Sequence, residues 1–100
     1  MDKNKILAKI LLDMKESTPG QNLGEIKLVA GVMDLGLGDL MKNPVISKEK
    51  KKNILLKLLK EYISDEMSRF VGYLIDEDMI KNLNNIVAKY EKLLARQAKT

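Results

Sequence analysis

Cysteine, histidine and tryptophan are absent from the 100 residues, proline occurs twice and phenylalanine once. Without cysteine there is neither a disulfide framework nor a thiolate metal site. Without histidine the usual general base and the commonest metal ligand are both missing, so most catalytic constellations lack their materials. Long apolar runs are lacking too: none approaches the roughly 20 residues that a membrane-spanning helix needs. The opening MDKNKILAKILLDMKE is broken by Lys5, Lys9, Asp13 and Lys15 and has no small-residue cleavage site, so it does not read as a signal peptide. The expectation is a soluble protein that a membrane complex can still recruit.

What the chain does have is 45% apolar residues spread along its whole length, mainly Leu, Ile and Met, with Lys and Glu as the main charged types. That composition favours helix over strand. It supplies enough apolar surface for one core, with a radius of gyration of about 13 Å at this length. The net charge of +4 is unevenly placed: residues 48–60 carry six Lys and one Glu, whereas 65–78 carry five acids and one Arg. Such polarity suits an electrostatic choice of partner or orientation better than a uniform nucleic-acid surface.

Helical periodicity organises the chain. Ile6, Leu7, Ile10, Leu11 and Met14 predict a first helix over about 4–16, ended by Ser17-Thr18-Pro19-Gly20. Ala8 and Leu12 fall outside that stripe, so the helix is apolar around more than half its circumference and should contact more than one thing. Leu23, Ile26, Ala30, Met33 and Leu37 mark a second helix interrupted by Gly24, Gly31, Gly36 and Gly38. The spacing of these glycines suits close packing or termination, because no strand precedes them and no phosphate-loop pattern is present.

A short third helix over Asp39–Lys42 must stop by Asn43, ahead of Pro44. Ser47 is the N-cap expected for a fourth helix over 48–62 with Ile54, Leu55, Leu58, Leu59 and Tyr62. Its lysine-rich first turns oppose the helix dipole, which hints at a charge kept for another purpose. Ser64 caps a fifth helix whose stripe is Met67, Phe70, Val71, Leu74 and Ile75, ended by Asp76-Glu77-Asp78. A sixth, over 79–97, shows Met79, Ile80, Leu83, Ile86, Val87, Tyr90, Leu93 and Leu94. The expected fold is all-α, a compact six-helix bundle over 1–96 with a frayed tail at 97–100.

Little chemistry is on offer. Asp76 and Asp78 provide oxygen ligands for a hard cation, but the stretch lacks the length and ligand alternation of a calcium loop; it reads as a solvated turn, and neither metal nor cofactor is expected. Lys48, Lys50, Lys51 and Lys52 form a basic patch that phosphates would attract. With two Arg in the chain and no aromatic platform, nucleic acid is the disfavoured partner. Phe70 reads as core, whereas Tyr73 lies off the fifth helix's stripe and Leu12 sits among Lys5, Lys9 and Glu16. Exposed apolar positions on two helices suit a helix-in-groove mode of binding.

The stretch LMKNPVISKEKKKNILLKLL resembles the delta (OSCP) subunit family of F-type ATP synthases, where a short helix ends in Asn-Pro, a β-branched pair follows and a Ser-Lys-Glu start opens the next helix. SRFVGYLIDEDMIKNLNNIVAKYEKLL is similar to that family's fifth helix, acidic turn and sixth helix ending in an aromatic followed by Glu. LAKILLDM resembles its opening. Leu7 stands where the family usually has Tyr, and Asp78-Met79 replaces Gly-Arg in the turn; Asp tolerates the left-handed conformation that Gly takes there.

The resemblance implies a non-catalytic component at the top of the peripheral stalk. In it, a groove between helices one and five takes the N-terminal helix of an alpha subunit, so that the catalytic head is held against rotor torque. By position the groove residues are Leu7, Ile10, Leu11 and Met14 with Phe70, Tyr73 and Leu74. The family's link to the b-type stalk subunit runs through a second, C-terminal domain that lies beyond this chain. Contact with the membrane is expected only through the complex, on the cytoplasmic side of the inner or plasma membrane, or on the matrix side in mitochondria. The alternative is a small basic helical regulator that binds nucleic acid or the transcription machinery through helix four.

Overall fold

The helix starts expected from spacing are made by side-chain caps. In the computed structural model, which describes residues 2–98, the Thr18, Ser47 and Ser64 hydroxyls accept the backbone N–H of Gln21, Lys50 and Met67 at 3.1, 3.2 and 3.1 Å. Each cap satisfies one of the donors left orphaned at a helix start. Asp2 does the same for Asn4. The Lys89 ammonium, 2.7 Å from Asp2, hydrogen-bonds its carboxyl and holds it below the usual carboxylate range, with the Asn4 N–H adding to the effect.

The resulting elements are α1 (Lys3–Asp13), α2 (Pro19–Val32), α3 (Gly38–Lys42), α4 (Lys48–Leu59), α5 (Asp65–Asp76), a 3-10 turn Ile80–Asn82, and α6 (Leu83–Ala98). The fold is all-α, with no strand among the described residues. Six α-helical segments are present, but they form five continuous runs, not the six separate helices expected. The reason is that α2 passes into α3 through a kinked turn, Met33–Leu37, without an intervening loop. Gly36 makes the kink at φ 126 and ψ −20, a conformation open almost only to glycine. Gly38 then lets the chain close up, since a Cβ there would stand 2.9 Å from the Met33 carbonyl oxygen. Of the expected tail, Gln97 and Ala98 belong to α6, while residues 99 and 100 lie outside the described residues.

α1 packs chiefly on α6, α2 also packs on α6, and α4 packs on α5. The buried side chains form one cluster that includes Leu11, Ile26, Val29, Leu55, Met67, Leu74, Ile86 and Tyr90, and the Cα radius of gyration is 13.2 Å. Each such apolar side chain contributes about 1.5–3 kcal/mol by leaving water. α1 corrects the first-helix expectation in two ways. Ala8 is fully buried while Ile6 and Ile10 are more than 40% exposed, so the buried face is rotated from the expected stripe, and Leu12 is half-buried against the core instead of standing free. The helix also stops at Asp13 because Met14 turns extended at ψ 132. Downstream, the Glu16 N–H donates to Glu66 Oε1 and the Glu66 N–H donates to Glu16 Oε2, both at 3.1 Å. This reciprocal pair fastens the α1–α2 linker to the start of α5, as does Glu25, buried on α2, whose carboxylate accepts the Ser64 N–H at 2.7 Å.

α5 ends in a Schellman turn. The Met79 N–H reaches the Leu74 carbonyl at 2.7 Å and the Asp78 N–H reaches Ile75 at 3.2 Å, with Asp78 left-handed at φ 56. The Asp that stands in place of Gly thus adopts the conformation expected of it. A β-branched side chain is costly there, by about 1–2 kcal/mol. Asp78→Val should therefore melt well below Asp78→Gly, a pair that controls for loss of the carboxylate. Equal thermal midpoints would mean that the turn carries no backbone strain.

Candidate functional site: a furrow between α1 and α5

Because α1 rests mainly on α6, its other side faces α5 across a gap. An open furrow of about 460 Å³ runs there, lined by Ile10 and Asp13 from α1, by Met14 just beyond it, and by Glu66, Arg69, Phe70 and Tyr73 from α5. Helical geometry explains both walls: 10, 13 and 14 are spaced i, i+3, i+4, and 66, 69, 70 and 73 extend the same pattern over two turns. Met14 and Phe70, 8% and 5% exposed, form the floor, while Ile10 and Tyr73, 43% and 50% exposed, form the apolar rims. Charge collects at the end nearest the start of α5, where Arg69 Nη2 stands 4.0 Å from Glu16 Oε2 beside the Glu16–Glu66 pair.

The seven side chains expected at a groove therefore divide. Ile10, Met14, Phe70 and Tyr73 meet at the furrow. Leu7, Leu11 and Leu74 lie in the core, exposed by 5% or less, because on their helices they face α6 and the interior. Asp13, Glu66 and Arg69 escaped the sequence reading. They are polar, and apolar periodicity does not select polar residues, although their offsets of three or four from Ile10, Phe70 and Tyr73 place them on the same faces.

Of the other candidate, the lysine patch on α4, two of the four lysines are engaged. Lys48 Nζ donates to the Asp76 carbonyl at 2.9 Å and pairs with Asp78 Oδ2 at 3.1 Å. Lys52 Nζ pairs with Asp76 Oδ1 at 3.0 Å. α4 starts beside the end of α5, so its unfavourable first-turn charge sits at the negative end of the neighbouring helix. These pairs are exposed and individually worth no more than about 1 kcal/mol, but they account for the acidic turn. Lys51 is buried, and Lys50 is exposed.

The structure is thus a small all-α protein that displays an apolar furrow between two helices. Residues 15–100 match the family described as the ATP synthase delta (OSCP) subunit, and the chain belongs to that family. It is 31% identical over 58 residues to a protein named ATP synthase subunit delta from Clostridioides difficile (strain 630), covering 58% of this chain and 32% of that one. It is 33% identical over 73 residues to a protein of the same name from Nitratidesulfovibrio vulgaris (strain DSM 19637 / Miyazaki F), covering 70% of this chain and 40% of that one. The chain thus spans about a third to two fifths of the length of these curated relatives. No solved structure matches it.

Proposed function

We propose that the chain is a non-catalytic part of the peripheral stalk of an F-type ATP synthase. In this reading it tethers the catalytic head by taking the N-terminal helix of an alpha subunit into the α1–α5 furrow. The observation that carries it is the furrow itself: Ile10 and Tyr73 stand exposed over a floor of Met14 and Phe70, a surface that an amphipathic helix would cover. Asp13 and Glu66 on the walls favour a ligand helix with basic residues beside its apolar face. Family membership supports the wider setting, a peripheral subunit of a membrane-bound complex, and among the described residues no helix is long and apolar enough to cross a membrane. The reading also includes association of the stalk subunit with a b-type partner.

The alternative, a basic regulator acting on nucleic acid through α4, is weakened by the engagement of Lys48 and Lys52 with the acidic turn. Titration with an amphipathic peptide from an alpha-subunit N-terminus, and with duplex DNA at low and high salt, separates the two. Peptide binding that persists at high salt is expected. DNA binding that falls steeply with salt, with no peptide affinity, would favour the regulator.

A further inference from the structure

A second cavity, of about 620 Å³, lies between the kinked segment 33–44, α4 and the 78–84 turn. Its volume falls within the roughly 300–1,000 Å³ usual for small-molecule sites. The buried part of the wall is Met41, Ile80, Leu83 and the stem of Lys51, none more than 8% exposed. Lys51 is the anomaly, because a lysine this buried is ordinarily paired. Its neighbours Lys48 and Lys52 take up Asp78 and Asp76. Among the described residues no carboxylate stands within ion-pair distance of the Lys51 ammonium and no acceptor within hydrogen-bond distance. Its nitrogen is not sealed from solvent, and the residue lines the cavity.

The charges at the mouth narrow the choice of ligand. Asp34, Asp39, Asp78, Lys42 and Lys81 are all exposed there; Asp78 is paired with Lys48 and the other four balance one another, which leaves Lys51 as the one charge set beside the buried apolar wall. A phosphate dianion would meet three acids on entry and find hydrocarbon inside. A single carboxylate on an apolar body matches both features. We propose that this cavity binds a monoanionic amphiphile, with its carboxylate on Lys51 Nζ and its hydrocarbon against Met41, Ile80 and Leu83.

Calorimetric titration of the full chain with decanoate, decanol and inorganic phosphate, with amide chemical shifts to locate binding, tests the proposal. Decanoate should saturate one site and shift residues 33–42 and 78–84. Decanol should bind at least about tenfold more weakly, as expected for loss of a charge-assisted hydrogen bond, and phosphate should give no heat. Lys51→Met should reduce decanoate to the level of decanol, and Lys51→Arg should retain it. Equal affinity for decanoate and decanol, shifts confined to the α1–α5 furrow, or binding indifferent to Lys51→Met would overturn the assignment. The decanoate and decanol comparison decides alone if Lys51→Met does not fold. A furrow peptide should bind alongside decanoate without competition, so the outcome here is independent of the stalk reading.

Discussion

Phe70→Ala is expected to lower folding stability by about 3–5 kcal/mol, whereas Tyr73→Ala should leave it within about 0.5 kcal/mol and act on binding instead. The two residues lie on one face of α5, three positions apart, and both line the furrow. Their burial separates their roles. Phe70, 5% exposed, closes the core from above; its removal opens a cavity that the neighbouring side chains fill only in part. For a domain whose whole margin is of order 5–15 kcal/mol, that loss is enough to leave the bundle near its unfolding transition. Tyr73, 50% exposed, has a ring that a docked helix would bury and that free solvent now wets.

Truncating a central aromatic anchor of a helix-in-groove contact costs about 1–3 kcal/mol, or roughly five- to 150-fold in affinity. Circular dichroism melts and calorimetric titration with the alpha-subunit peptide read the two effects separately. Affinity unchanged in both variants would remove the furrow from the binding reaction, whatever the melts show.

The local half of the fold was legible in the sequence. Ser47 and Ser64 announced themselves as caps, the α5 stripe from Met67 to Ile75 is buried as its spacing required, and Asp78 took the left-handed turn expected of a glycine substitute. α1 was ambiguous for a stated physical reason. A helix apolar around more than half its circumference has two arcs able to face the core, and only the position of α6 decides between Ala8 and Ile6. Beyond the early end of α1, the linker is held by contacts between Glu16 and Glu66, fifty positions apart, which no local pattern encodes. The α2–α3 kink was visible only as a cluster of glycines, because the pattern gives their number and not which one takes positive φ.

The site was half legible for a related reason. Periodicity finds apolar residues at a helix interface but does not say on which side of the interface they end. Leu11 and Met14 share the α1 stripe, yet Leu11 is in the core and Met14 is on the furrow floor. Tyr73 was identifiable because it broke the stripe. A large apolar residue one step off a buried face is the better marker of a surface that awaits a partner.

Tyr90 supplies the second large effect, and it depends on pH. The side chain has no exposed surface, and its hydroxyl donates to the Pro19 carbonyl at 3.2 Å, tying α6 to the start of α2. Burial pushes the phenol above its ordinary value, and a hydrogen bond with the Asn22 side chain offsets this only in part. The folded state therefore favours the neutral ring. Its contribution is complete below the unfolded value of about 10 and is lost as pH rises through the higher folded value, at about 1.4 kcal/mol per pH unit between the two. Tyr90→Phe keeps the ring and removes both the hydrogen bond and the titration. Near pH 7 the variant should be less stable by about 1 kcal/mol. Above about pH 10 the lead of the wild-type protein over the variant should shrink, since lysine deprotonation affects both alike. Denaturant midpoints of the two proteins should converge across this range, and the last part of the wild-type tyrosinate absorbance should rise later than that of an exposed tyrosine. Curves that stay parallel would mean that the Tyr90 phenol loses its proton as readily in the folded state as in the unfolded one.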